Sequence, residues 1–138
     1  MDELVLGAQS VSESDLVTGI RDSEVLPPSH HNCDLLAPDG TFLCRPDGYI
    51  EEVGFAVQVQ SLRYHLNPSA QERDYDQRLL MGRYGVFTAE VRPNRLRRDR
   101  PAFIHELEVI YLERKAQGVQ ANIVVRCRPG CPVSKRAA

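Results

Sequence analysis

The clearest pattern of apolar and polar positions in the chain is Phe55-Ala56-Val57-Gln58-Val59-Gln60, which alternates with period 2 and is rich in valine. Such alternation marks a half-buried β-strand. Glu51-Glu52-Val53-Gly54 supplies a turn before it, and Arg45-Pro46-Asp47-Gly48-Tyr49-Ile50 supplies the other arm of a hairpin. With a four-residue loop over 51–54, Ile50 pairs with Phe55 and Asp47 falls opposite Gln58. Directly opposed side chains share a face, with Cβ atoms about 4.5–5.5 Å apart, and alternation puts Gln60 on that face too. The register therefore predicts that Asp47, Gln58 and Gln60 converge on one patch.

The remaining pattern supplies helices and further strands. Residues 1–9 carry no periodicity and read as a disordered lead-in. Ser10-Val11-Ser12-Glu13 fits a capping box, and Val11, Leu16, Val17 and Ile20 form the apolar stripe of a helix through about Arg21. Leu26-Pro27-Pro28 ends it. The irregular connection that follows holds His30 and His31, expected as surface imidazoles, with metal ligation the alternative. The turn signal Ala37-Pro38-Asp39-Gly40 leads to an antiparallel meander with strands over 33–37, 41–50 and 55–61. Pro68 through Arg83 reads as a helix with Tyr75, Leu79 and Leu80 facing inward and Glu72, Arg73, Asp74, Asp76, Gln77 and Arg78 outward. Gly85–Val91 is a fourth strand, able to join the sheet parallel to its neighbour because a helix intervenes. Pro101 opens a last helix to about Gln117, ended by Gly118. Residues 118–138 form a basic tail that adds an edge strand or stays flexible.

Composition narrows the class. At 138 residues, 42% hydrophobic and 26% charged, the chain reads as one soluble globular domain. No apolar run approaches the ~20 residues a membrane helix requires, and the N-terminus lacks a basic region followed by a hydrophobic stretch. The expectation is a cytoplasmic protein with no membrane partner. Net charge is −2, yet residues 1–91 carry −9 and residues 92–138 carry +7. Arg92 to Arg100 holds five arginines in nine residues, expected as a loop. Arginine matches phosphate oxygens bidentately, so Arg95, Arg97 and Arg98 are candidate nucleic-acid contacts. A basic tail plus a solvated loop explains the same charge.

Four cysteines, Cys33, Cys44, Cys127 and Cys131, are too few and too irregular for a secreted disulfide framework. A mixed zinc site could join His30, His31 and Cys33 to Cys127 and Cys131. The three-residue spacer in Cys127-Arg-Pro-Gly-Cys131, with no nearby second pair, is a weak zinc signal, so free thiols are expected and zinc is not.

Pro46-Asp47, with ten residues between Asp47 and the Gln58 of Ala-Val-Gln-Val-Gln-Ser, resembles the active-site hairpin of the PD-(D/E)XK nuclease superfamily, in the branch similar to very-short-patch-repair (Vsr) endonucleases. More narrowly it resembles a widespread actinobacterial group of endonuclease-like domains of unknown function. The resemblance covers about residues 10–117. It implies an α/β (α+β), restriction-endonuclease-like mixed sheet of about four strands flanked by helices. It also implies roles. Asp47 would hold Mg²⁺. Glu13 would point toward the metal; from the residues alone it caps its helix. His65 matches a histidine beside the metal that handles protons or contacts phosphate; a histidine bonded to a backbone carbonyl is the alternative. Arg73 and Arg78 match basic residues near DNA, or else a solvated helix face with i, i+4 pairs.

The chain departs from the family where Glu and Asp are usual, carrying Gln58 and Gln60 instead. Mg²⁺ is a hard cation that wants anionic oxygen ligands, and an amide brings no negative charge. Loss of two carboxylates should weaken the metal by more than the ~10- to 100-fold typical of outer-shell lesions. The expectation is a nuclease-fold protein with a degenerate metal site that binds DNA with little or no cleavage. An active Mg-dependent endonuclease and a regulatory or structural protein-interaction domain are the alternatives.

Overall fold

A computed structural model describes residues 13–60, 68–127 and 129. Helix α1 covers residues 13–22; the Ser10 cap and the lead-in 1–9 lie outside the described residues. Strands β1 (Asp34–Leu36), β2 (Phe42–Cys44), β3 (Gly48–Ile50) and β4 (Phe55–Val59) follow, with a 3-10 turn at Glu51–Val53. Helix α2 (Pro68–Arg83), β5 (Phe87–Val91), α3 (Pro93–Ala116) and β6 (Val124–Arg126) complete the order. These strands make two three-stranded sheets, β2-β1-β6 and β3-β4-β5. The fold is α+β, but the single sheet of about four strands is corrected. The unbroken strand over 41–50 divides at Arg45-Pro46-Asp47, where Pro46 has no N–H for a ladder. Part of the basic tail does form an edge strand, with β6 antiparallel to β1 in the register Asp34↔Arg126 and Leu36↔Val124.

In the β3-β4-β5 sheet, β4 is antiparallel to β3 and parallel to β5. Leu16 and Ile20 of α1 pack with Phe55 and Val57 of β4 and with Leu96, Phe103 and Leu107 of α3. On the other side, Tyr49 and Ala56 pack with Leu35, Leu43, Met81 and Val86. Burying each large apolar side chain stabilises the fold by about 1.5–3 kcal/mol. Phe55, Ala56 and Val57 are all buried, at 0%, 1% and 0% exposure, so the half-buried character expected of the whole strand begins only at Gln58. A strand with a parallel neighbour and cover on both faces reads as a continuous apolar run.

Three local features depart from the sequence reading. Tyr75 and Leu79 of α2 are 61% and 73% exposed rather than inward. Asp74, Arg78 and Met81, spaced i, i+4, i+7, turn toward the sheets instead, because Arg78 pairs with Glu90 of β5 while Met81 is in the core. The arginine-rich stretch after Arg92 is the start of α3, not a loop, since Pro93 has a φ preset for the first helical turn. The helix kinks at Asp99 (φ −144°, ψ 43°) just before Pro101, whose ring clashes with the carbonyl four residues back. As expected, it ends at Ala116, with Gly118 left-handed at φ +68°.

The hairpin turn closes as expected at Gly54, which is left-handed at φ +60°. A Cβ there would lie 2.6 Å from the Cβ of Ala121. Arg114 of α3 clamps this corner: its Nε donates to the Val53 carbonyl at 2.8 Å and one Nη2 reaches the Gly85 carbonyl at 2.9 Å. No helix among the described residues is long and apolar enough to cross a membrane.

Candidate functional site

The hairpin register is Ile50↔Phe55, Tyr49↔Ala56 and Gly48↔Val57. One further step places Asp47 across from Gln58, just past the end of β3. The Asp47 carboxylate folds back onto the partner strand, where its Oδ2 accepts the Val59 amide hydrogen at 2.6 Å. Burial pushes its pKa up to about 6, against the pull of that amide, and the charge of Glu13 adds to the rise. Glu13 on α1 is thus close enough to Asp47 to be felt electrostatically.

Behind Asp47 stands His31, which is fully buried rather than at the surface. Its Nδ1 lies 2.8 Å from the Asp47 carbonyl oxygen and its Nε2 lies 2.8 Å from Ser29 Oγ. A carbonyl only accepts, so Nδ1 carries the proton and Nε2 accepts from the Ser29 hydroxyl. Burial lowers the imidazole pKa, which keeps the ring neutral, and the Asp47 carbonyl opposes this. His31 therefore positions the backbone under Asp47 and has no nitrogen left for a metal.

Gln58 lines a cavity of about 80 Å³ between α2, the end of β2 and the sheet, together with Arg45, Asp74, Arg78, Thr88 and Glu90. That space has room for water molecules or a small ion. The parallel register sets Gln58 beside Glu90. Glu90, absent from the sequence-based site, accepts a hydrogen bond from the Gln60 amide and forms an ion pair with Arg78, which also pairs with Asp74. Arg45 is held by Asp34, whose other oxygen takes Arg126. Both of the cavity's acids share Arg78, so a cation entering would compete with that guanidinium.

Mg²⁺ does not fit the donors at the hairpin. Asp47 has one oxygen committed to a backbone amide, and Gln58 and Gln60 add no charge. His65 lies outside the described residues.

The candidate nucleic-acid residues fall in two groups. Arg78 is drawn inward to Asp74 and Glu90, while Arg73 on the same helix is exposed and forms no ion pair among the described residues. On α3, Arg95 pairs with Glu106 at 2.9 Å over the Phe103 ring, Arg97 donates to Asn94 at 2.8 Å, and Arg100 reaches Asp15 of α1 at 3.3 Å. Arg98 is exposed, with no ion pair among the described residues.

A second cluster lies on the other sheet. Cys33 and Cys127 form a disulfide, with Cα atoms 4.6 Å apart, which corrects the expectation of free thiols at these two positions. His30, Cys33 and Cys127 offer ligand atoms within 4.8 Å of one another, yet two sulfurs bonded to each other lend no thiolate to a metal. Cys131 lies outside the described residues. His30, half-buried rather than a free surface imidazole, has Nε2 2.8 Å from Glu51 Oε2 and Nδ1 3.3 Å from Cys127 Sγ. The 94-residue separation of the two cysteines left no local signal for the pairing.

No known protein family, curated protein or solved structure matches the chain.

Proposed function

We propose that this chain is a nuclease-fold module of the restriction-endonuclease-like, Vsr-type class whose metal site has lost its charge, so that it binds DNA with little or no phosphodiester cleavage. The observation that carries this reading is the open end of the hairpin. There Asp47 stands across from Gln58 with its Oδ2 occupied by the Val59 amide, and Gln58 and Gln60 offer amides rather than carboxylates. DNA is the polyanion that suits the basic start of α3, where Arg97 and Arg98 are exposed. Duplex DNA carries about one negative charge per 1.7 Å of axis, and arginine meets phosphate oxygens through bidentate contacts.

One observation favours a second reading, an active Mg-dependent endonuclease. Glu90 lies in register with Gln58 and could replace the missing strand carboxylate if Arg78 moved aside. A plasmid-nicking assay with Mg²⁺ or Mn²⁺ separates the readings. The native protein should leave supercoiled plasmid intact while the Gln58→Glu/Gln60→Asp variant gains activity. Nicking by the native protein that disappears in both Asp47→Ala and Glu90→Gln would establish the second reading. Absence of both nicking and plasmid retention on a gel would point instead to a protein-interaction role.

A further inference from the structure

We propose that Cys33 and Cys127 form a redox-active disulfide, a thiol–disulfide exchange site at which a low-molecular-weight thiol attacks the exposed Cys127 sulfur beside a Glu51-oriented His30. The two sulfurs are unlike. Cys33 is 1% exposed, whereas Cys127 is an exposed residue, which makes Cys127 the approachable half of the bridge and Cys33 the leaving group.

The surroundings of Cys127 are those of an activated thiol. Glu51 Oε2 accepts the Nε2 proton of His30 at 2.8 Å, which leaves the Nδ1 lone pair facing Cys127 Sγ at 3.3 Å. Nucleophile, base and base-orienting carboxylate thus stand in sequence, the arrangement that makes a thiol reactive. Once the bridge opens, the Cys127 thiol can pass its proton to Nδ1, and the imidazolium then holds the thiolate. Cys33 Sγ lies 3.7 Å from the His31 carbonyl oxygen, an acceptor for its S–H in the reduced form. A bridge that serves only as a staple needs neither the imidazole nor the exposure. Cys44 offers a contrast within the same chain: burial pushes its thiol up to about 12 and keeps it inert.

The exchange balances in two steps. A thiolate RS⁻ attacks Cys127 Sγ, forming RS–S–Cys127 as the bond to Cys33 breaks, and Cys33 takes a proton. A second RS⁻ attacks the sulfur of the bound R group, forming RSSR and releasing the Cys127 thiolate to His30. Two small thiols are oxidised and one protein disulfide is reduced; the reverse sequence closes the bridge.

The test uses the full chain in metal-free buffers of graded reduced-to-oxidised glutathione, quenched by alkylation and mapped by peptide mass spectrometry. Cys33 and Cys127 should open and close together across the series, and in Cys33→Ser the glutathione adduct should map to Cys127. His30→Gln should slow reoxidation by glutathione disulfide about tenfold or more, through loss of thiolate, with its circular dichroism spectrum unchanged. An unchanged rate in His30→Gln overturns the proposal, and so does a bridge that stays closed at every ratio. Stoichiometric zinc in the purified protein with Cys33 and Cys127 both unbridged also overturns it. If Cys33→Ser does not fold, the rates of the native chain and His30→Gln decide alone.

Discussion

The carboxylate of Asp47 and the backbone amide of Val59 are joined by a 2.6 Å hydrogen bond across the open end of the hairpin. The contact holds Asp47, just past the end of β3, against the backbone of the partner strand. Burial, which outweighs this contact, sets how that residue answers to pH.

Asp47 titrates at about 6 in the fold rather than near its ordinary 3.8, chiefly because it is buried. A carboxyl whose folded pKa is raised binds its proton more tightly when folded. Stability therefore falls as pH rises from about 4 to about 6 and is level above. The full difference corresponds to something on the order of 3 kcal/mol. Asp47→Asn, which keeps an oxygen for the Val59 amide, should raise the thermal midpoint at pH 7.5 and leave it nearly unchanged at pH 4. Denaturation curves at both pH values check this; equal effects at the two would disprove the burial account.

Arg78 pairs with both Glu90 and Asp74 at the cavity rather than serving a solvated helix face. Arg78→Ala should destabilise by about 1–3 kcal/mol, the cost of a part-buried charge left without its partner. The double variant with Glu90→Gln should recover part of that loss. A double-mutant cycle in urea measures the coupling, and additive effects would mean the pair contributes nothing.

Gly54→Ala combines a left-handed φ of +60° with a Cβ placed 2.6 Å from that of Ala121. The backbone term alone costs about 1–2 kcal/mol, and the contact with Ala121 adds to it. The denaturant midpoint should drop while the slope of the transition stays constant.

For the arginines of α3, the ion pairs distinguish members of one cluster. Arg98 has no ion pair among the described residues and Arg97 donates to the neutral Asn94, whereas Arg95 is engaged by Glu106. In mobility shifts over a salt series, Arg98→Ala should lower the log–log slope by about 0.9. Arg95→Ala should change it less. Equal slopes for the native chain and the Arg95/Arg97/Arg98 triple alanine variant would remove this surface from any role in DNA binding.

The sequence by itself determined the central hairpin down to its register. A turn ending in Gly54 and a period-2 strand leave few ways to pair, and Ile50↔Phe55 with its successors follows from counting. It also determined helix α2, strand β5 and the end of α3 at Gly118, where proline, glycine and apolar spacing act locally. Tertiary structure alone decided the rest. The inward face of α2 went to Asp74, Arg78 and Met81, not to Tyr75 and Leu79, because Glu90 on another strand offered Arg78 a partner. His31 was buried under Asp47, and Cys33 met Cys127 across 94 positions, next to a His30 that Glu51 orients. Local pattern reports what a residue prefers near its neighbours in the chain. The groups that satisfy a buried charge, an imidazole or a thiol are chosen by folding, from segments whose separation leaves no periodic trace.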